Sequence, residues 1–424
     1  MKLLVKKTEK LRGDIAIPAS KSHTIRAVFI ASLAEGESLL RCPLFSEDTR
    51  AAVNACRMLG AQIEQSGADL KIRGFGAQPK KPDGAVDMLN SGTSTNLMIG
   101  ALAGLGIEAE ITGDASLRSR PVAALADALI KAGCTITYLD RQGCPPLRIS
   151  GSITGAAIEL DAAKSSQYVS SLLLACPLLP RDTEIRVKNP SELPYIELTL
   201  RWLDEQGIRY ERSGFSWFKI FGAQRYRPFE KTIPADWSSA TFPICAAALA
   251  DGDVFVRGVD MHDVQGDKAV IDYLKSMGAS AAVEAQGIRI RGCRLTGASL
   301  DINETPDALP ALSVVGCCAQ GTTKLYNVAQ ARVKETDRIT VMAQELQKMN
   351  ARIDELPDGL LIHHSALKGA SVHGHHDHRV VMALALAGLV AEGETVIDTA
   401  EAISVTYPDF VETMHMLGAN ITLI

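Results

Sequence analysis

Long apolar runs are missing from this 424-residue chain. None reaches the roughly 18 uninterrupted apolar residues of a membrane span, so no spanning helix is expected. The N-terminus, Met1-Lys2-Leu3-Leu4-Val5-Lys6-Lys7, lacks an apolar stretch after its charges, which argues against a secretory signal. A cysteine framework is also missing. Nine cysteines are scattered, several inside apolar runs (Cys176, Cys245, Cys317, Cys318), and read as reduced core thiols of a cytoplasmic protein. There is no excess of positive charge: 44 Lys and Arg face 49 Asp and Glu, for a net charge of −5. Global attraction to nucleic acid or membrane is thereby excluded, and an anionic ligand has to be held by locally placed cations. Nucleotide loops are absent as well. Gly100-Ala101-Leu102-Ala103-Gly104-Leu105-Gly106 lies inside a helix pattern, and Gly321-Thr322-Thr323-Lys324 lacks the first glycine and the length of a P-loop. The run His373-Gly374-His375-His376-Asp377-His378 matches no zinc spacing and has no cysteine nearby, so no metal is expected there.

What is present is a repeat. A helix end, a small-residue turn and two short strands around a second Gly recur six times. The turns are Met58-Leu59-Gly60-Ala61, Ile130-Lys131-Ala132-Gly133, Asp204-Glu205-Gln206-Gly207, Ser276-Met277-Gly278-Ala279, Lys348-Met349-Asn350-Ala351 and Met416-Leu417-Gly418-Ala419. The Gly, or Asn350 in its place, returns at intervals of 73, 74, 71, 72 and 68 residues. Gly and Asn are the residues that tolerate a left-handed helix C-terminus. A turn-then-strand signature keeps step, at Gly36-Glu37-Ser38, Gly106-Ile107-Glu108, Asp182-Thr183-Glu184, Gly252-Asp253-Val254, Gly321-Thr322-Thr323 and Gly393-Glu394-Thr395. The period exceeds the roughly 20–50 residues of solenoid units. It predicts an α/β architecture of six large units in two lobes of three.

Each unit also holds a helix apolar on most sides, and such helices are buried. These are 25–33, 97–105, 169–179, 242–249, 309–319 and 380–390. Their N-termini carry Lys21-Ser22-His23-Thr24, Ser91-Gly92-Thr93-Ser94, Ser165-Ser166-Gln167, Asp236-Trp237-Ser238-Ser239, Thr305-Pro306-Asp307 and Asp377-His378-Arg379. Ser, Thr and Asp are ordinary N-caps. Six buried N-termini in parallel, two of them beside cations, point further, because free N–H groups there form anion sites. Inward-pointing helices in both lobes would face each other across an anion-binding cleft. The densest charged string, Arg332-Val333-Lys334-Glu335-Thr336-Asp337-Arg338, stands between a strand and a helix start, where α/β proteins place ligand contacts. Lys334 and Arg338 would share one helix face with Glu335 alongside. A carboxylate among cations serves either as an ion-pair partner or as a proton carrier.

With these strings assembled, the chain resembles the 5-enolpyruvylshikimate-3-phosphate synthase family from about Lys10 to the C-terminus. The resemblance rests on Arg332-Val333-Lys334-Glu335-Thr336-Asp337-Arg338, Lys21-Ser22 with Arg26, Asn90-Ser91-Gly92-Thr93, Ser165-Ser166-Gln167 and Asp377-His378-Arg379. It implies a two-lobed inside-out α/β barrel of six βαβαββ repeats, three per lobe, with helices buried within sheets. Lobe I would span 16–229, mainly on the shikimate 3-phosphate side, and lobe II would join 1–15 to 230–424. It implies transfer of the enolpyruvyl group of phosphoenolpyruvate to the 5-hydroxyl of shikimate 3-phosphate, with release of phosphate and without metal or organic cofactor. The two substrates would be the partners of a cytoplasmic monomer, with no nucleic acid or membrane involved.

By the same resemblance, Lys21, Ser22, Arg26, Ser165, Ser166, Gln167, Tyr195, Asp307 and Lys334 would hold shikimate 3-phosphate. Lys21, Gly92, Arg120, Gln167, Arg338, His378 and Arg379 would surround phosphoenolpyruvate. Asp307 would take the hydroxyl proton and Glu335 would deliver one to the methylene carbon, with Lys21 a second candidate for proton transfer. The chain departs from the family pattern at Asn96 and Leu97 (Arg and Pro in the family), Gln330 (Asn) and Val405 (Lys), and Lys164 is a substitute cation by sequence. The rival readings are the sister family that acts on UDP-N-acetylglucosamine and a non-catalytic paralogue. The first typically has Lys-Asn in place of Lys21-Ser22 and a cysteine in the loop matching 114–120, where this chain has none.

Overall fold

The computed structural model describes residues 1–424. Twelve α-helices lie in chain order: α1 Lys21–Leu33, α2 Glu47–Met58, α3 Gly92–Leu105, α4 Ala123–Lys131, α5 Gln167–Ala175, α6 Leu193–Glu205, α7 Trp237–Leu249, α8 Val270–Ser276, α9 Leu309–Cys318, α10 Arg338–Lys348, α11 His378–Val390 and α12 Phe410–Met416. The odd-numbered ones are the apolar helices of the six repeats. In α11, twelve residues from His378 to Leu389 are buried, and α1 is buried from His23 to Leu33. The even-numbered helices are two-sided: α2 buries Ala51, Ala52, Ala55 and Cys56 and exposes Arg50 and Asn54. Pro177 cuts α5 short, so the predicted helix to 179 ends at Ala175 and continues as a 3-10 turn, Cys176–Leu178.

Strands form six four-stranded sheets, each a parallel pair extended by two antiparallel strands, which in five of the six are consecutive in the chain. Sheet Ala157–Asp161, Thr183–Lys188, Trp217–Ile220, Tyr210–Ser213 is typical, with its parallel register set by Ile158 opposite Ile185. The repeat glycines do what their spacing predicts. Gly60, Gly133, Gly207, Gly278, Asn350 and Gly418 all have positive φ, from 68° to 110°, where a β-carbon is penalised.

Two sheets have exchanged their leading strands. Arg12–Ala16, which precedes α1, pairs in parallel with Asp253–Arg257 of the fourth repeat. Glu230–Thr232, which precedes α7, pairs with Glu35–Arg41 of the first. Leu3–Lys6 closes the last sheet between Glu394–Ile397 and Ile421–Leu423. The chain accordingly divides into a middle unit, Ala19–Ile233, and a terminal unit, Met1–Pro18 with Pro234–Ile424. The boundaries expected from sequence, 15/16 and 229/230, lie a few residues earlier.

Each unit has its own core of three buried helices. In the terminal unit α7, α9 and α11 pack on one another. In the middle unit α3 packs against α1 and α5. The α3–α5 contact explains the glycine run. A β-carbon at Gly100 would sit 2.2 Å from Ser171 Oγ, and one at Gly104 2.9 Å from the Ala175 carbonyl oxygen. All nine cysteines are free thiols. Burial pushes the thiols of Cys56 and Cys176 up to about 12, but Cys42 and Cys293 are exposed, so not every cysteine is a core thiol. No helix is long and apolar enough to cross a membrane.

Candidate active site

In the middle unit the helix N-termini are cross-linked by their own polar side chains. Ser20 caps α1 by accepting from the His23 N–H at 3.4 Å, and the adjacent Lys21 reaches Asp48 of α2 at 3.1 Å. One turn on, Arg26 is 1% exposed. Its guanidinium donates to Thr199 Oγ1 (2.8 Å), the Ser22 carbonyl (3.1 Å), Ser170 Oγ (3.2 Å) and the Tyr195 carbonyl (3.2 Å). All four acceptors are neutral oxygens. Burial pulls this guanidinium down to about 10, which leaves it a full cation at neutral pH. A buried cation among neutral dipoles is an anion receptor in waiting. The bonds to Ser170 and Tyr195 also bring α1, α5 and α6 together.

Gln167, the first residue of α5, donates to Thr93 Oγ1 at 3.0 Å and accepts from Asn96 Nδ2 at 2.8 Å. These bonds tie α5 to α3. Ser165 Oγ accepts from the Gln167 N–H at 3.2 Å. Ser166 donates to Glu192 Oε2 at 3.0 Å, a carboxylate only 2% exposed. Arg120 comes from the loop after strand Ala109–Thr112. It donates to the Asn90 carbonyl at 3.1 Å, to Asn90 Oδ1, and to Ser116 Oγ at 3.2 Å. Gly92 lies under it, and a β-carbon there would stand 3.2 Å from Arg120 Nη1. Ser22 and Tyr195 are half-buried beside Arg26, and Lys164 is exposed.

The terminal unit concentrates charge around Arg338, the first residue of α10 and 1% exposed. Its guanidinium donates to Asp307 Oδ1 at 2.7 Å, Glu335 Oε2 at 2.6 Å, and both oxygens of Asp377, at 2.8 and 3.2 Å. Arg379 adds a second guanidinium on Asp307 Oδ2 at 2.8 Å. Burial lowers the pKa of Arg338, but the carboxylates of Asp377, Glu335 and Asp307 outweigh it and hold the group above its ordinary value. Asp377 is also the N-cap of α11, accepting from the Arg379 N–H at 2.9 Å. One carboxylate thus holds the Arg338 guanidinium and the Arg379 backbone. His378 is buried at the first position of α11.

The charged string 332–338 divides its labour. Arg332 and Asp337 are braces: Arg332 reaches Asp337 at 2.7 Å and the carbonyls of Leu356 and Pro357 at 2.7 and 2.9 Å. Glu335 and Arg338 turn to the cluster. The expected shared helix face of Lys334 and Arg338 is not formed. Residues Ala329–Val333 are a 3-10 turn, Lys334 has ψ −146°, and α10 begins only at Arg338. The Asp337 cap, accepting from Thr340 N–H at 3.1 Å, stops the helix from starting earlier. Gln330 donates to the Asn303 carbonyl at 2.8 Å, and Val405 is 8% exposed at the end of a 3-10 turn.

Several partners escaped sequence reasoning. Asp377 stood in a string singled out from sequence, but its grip on Arg338 spans 39 residues and was not foreseen. Asp48, Thr199 and Glu192 carried no signal at all, because each reaches its partner through tertiary packing. Comparison with known proteins shows the family. The sequence model of EPSP synthase (3-phosphoshikimate 1-carboxyvinyltransferase) matches residues 5–414. A 3-phosphoshikimate 1-carboxyvinyltransferase from Acetivibrio thermocellus is 49% identical over 99% of both chains, and one from Ruminiclostridium cellulolyticum is 47% identical over 100% of both. The structure of an EPSP synthase from Acinetobacter baumannii superposes with a TM-score of 0.84 at 30% identity, over 99% of each chain.

Proposed function

The chain belongs to the EPSP synthase (3-phosphoshikimate 1-carboxyvinyltransferase) family, and from that premise we propose that it transfers the enolpyruvyl group of phosphoenolpyruvate to the 5-hydroxyl of shikimate 3-phosphate. The observation that carries the reading is the terminal-unit cluster. The two carboxylates assigned to proton transfer, Asp307 and Glu335, are both gripped by Arg338, and Asp307 by Arg379 as well.

In this reading Arg26, Ser22, Ser165, Ser166, Gln167, Tyr195, Lys21 and Lys334 hold shikimate 3-phosphate. Arg338, Arg379, His378, Arg120, Gln167, Lys21 and the backbone at Gly92 receive phosphoenolpyruvate. Asp307 takes the proton of the 5-hydroxyl as that oxygen bonds to C2 of the donor, and Glu335, which takes up a proton from solvent once the donor has displaced it from Arg338, delivers that proton to the methylene carbon. Lys21 remains a second candidate for proton transfer. Loss of a proton from the new methyl group back to Glu335 then expels phosphate, which leaves with the proton that Asp307 had taken. A carboxylate shared by two guanidiniums is a poor base. The arriving donor phosphate competes for those guanidiniums, so donor binding itself releases Asp307 for its task. Positioning and electrostatics carry the rest.

The reading takes the chain as a cytoplasmic monomer that needs no metal or organic cofactor. Few large apolar side chains are exposed, which supports a monomer. The test is phosphate release with shikimate 3-phosphate and phosphoenolpyruvate, each omitted in turn. Release that needs both supports it. Release from phosphoenolpyruvate alone, or none from the pair, overturns it.

A further inference from the structure

Glu345 lies two turns after Arg338 on α10, with its side chain 2% exposed. Both its oxygens are within 2.8 Å of Lys348 Nζ. Oε2 also accepts from the His373 backbone N–H at 2.9 Å, and Oε1 is 3.0 Å from His375 Nε2. Burial raises the pKa of this carboxyl, but the bonds from Lys348, His373 and His375 prevail and hold it below its ordinary value. The loop it grips is fastened on its other side too. His373 Nδ1 lies 2.6 Å from Asp398 Oδ1, which also accepts from the Gly374 N–H at 2.9 Å. The His376 N–H donates to Thr399 Oγ1 at 3.2 Å. His375 and His376 stand at φ 54° and 53°, a left-handed conformation that persists only where surroundings enforce it. The next residues are Asp377, His378 and Arg379.

One helix therefore holds this segment at both ends. Arg338, at the start of α10, grips Asp377, and Glu345, two turns on, grips His373 and His375. We propose that Glu345 is a positioning residue: through His373 and His375 it seats the loop that delivers Asp377, His378 and Arg379 to Arg338, and so sets the affinity for phosphoenolpyruvate. The histidine run thereby gains a role as a loop fastener. The inference rests on the reading that Arg338, His378 and Arg379 meet phosphoenolpyruvate.

The test compares Glu345→Ala, Glu345→Gln and His375→Gln with the unaltered protein. KM for each substrate and kcat are measured, with a thermal melt on every variant. Glu345→Ala is expected to raise KM for phosphoenolpyruvate about tenfold, the scale of one charge-assisted hydrogen bond, while KM for shikimate 3-phosphate stays within about twofold. Glu345→Gln should recover part of the loss, since its amide oxygen still accepts from the His373 N–H, and His375→Gln should fall between. If Glu345→Ala does not fold, the other two decide. The proposal is overturned if folded variants keep the donor KM, or if both KM values rise equally. Absence of turnover in the unaltered protein would sink the function itself, whereas normal turnover with an unmoved donor KM sinks only the positioning role.

Discussion

The two units treat their buried arginines in opposite ways. In the middle unit Arg26 is surrounded by neutral oxygens, so its charge is uncompensated by its own contacts. In the terminal unit Arg338 and Arg379 are interleaved with Asp307, Glu335 and Asp377. A ligand anion reaching Arg26 displaces only weak dipoles. One reaching Arg338 or Arg379 displaces a carboxylate, and each carboxylate so released gains basicity. In the proposed reaction the first arrangement serves binding, and the second would couple binding to proton transfer. Placing the shikimate phosphate with Arg26 and the donor with Arg338 and Arg379 gives each substrate the environment its part in the reaction requires.

The strongest break in this comparison comes from the carboxylates. Asp307→Asn and Glu335→Gln each remove a proton carrier and leave the guanidiniums in place. Turnover should fall by about 10²–10⁴-fold. Binding of shikimate 3-phosphate, measured by calorimetry, should stay within a few-fold. Near-normal turnover in either variant would remove that residue from the chemistry and reduce the cluster to structural ion pairing.

The arginines test the contrast directly. Arg26→Gln should raise KM for shikimate 3-phosphate by roughly 10–150-fold, the equivalent of one charged hydrogen bond at about 1.5–3 kcal/mol. Arg379→Gln should raise KM for phosphoenolpyruvate by less, because Asp307 already offsets part of that charge. Equal effects would mean that the carboxylates of the terminal unit do not temper its cations.

Much of the fold was legible in the chain. The six left-handed turns announced themselves because only Gly and Asn tolerate that backbone cheaply, so Asn350 stood in register with five glycines. The buried helices were equally plain from their unbroken apolar sequence. The exchange of strands Arg12–Ala16 and Glu230–Thr232 between sheets was not readable from periodicity, since both strands precede a helix in the same manner. At the site, residues that cluster in sequence were found, such as Glu335 with Arg338. Partners joined by packing were not, as with Lys21 and Asp48 or Arg26 and Thr199. The 332–338 string misled in one respect. Helical spacing put Lys334 and Arg338 on one face, but the Asp337 cap starts the helix after Lys334.

The close contacts of the buried helices also differ between the two units. At Gly100 an added β-carbon meets Ser171 backbone at 2.6 Å, as well as its side chain. Gly100→Ala should therefore push α3 from α5 and cost about 1–3 kcal/mol, seen as a lower melting temperature. Gly316 in α9 would meet only side-chain atoms, Ile362 Cδ1 at 3.1 Å and Thr323 Cβ at 3.2 Å. The Ile362 terminus can swing aside, the Thr323 β-carbon must shift by a few tenths of an ångström, and alanine's gain of about 1 kcal/mol in helix propensity offsets that cost. Gly316→Ala should stay within about 1 kcal/mol of the unaltered protein. Equal losses would mean that α9 packs as rigidly as α3.

The smallest effect on substrate binding is expected at Asn96, which connects the α3 and α5 N-termini. Its Nδ2 donates to Gln167 Oε1 at 2.8 Å, and Gln167 in turn donates to Thr93. Asn96 is 6% exposed and uncharged, so its contribution is orientation of the Gln167 amide, without any cationic attraction of its own. Asn96→Ala removes one neutral hydrogen bond, worth about 0.5–1.5 kcal/mol. Gln167 is assigned to both substrates, so both KM values should rise by roughly 2–10-fold, in contrast to the one-sided shifts at Arg26 and Arg379. A rise confined to phosphoenolpyruvate would place Asn96 on the donor side alone. No rise in either would mean that Thr93 suffices to hold Gln167, and that the departure at position 96 has no bearing on binding.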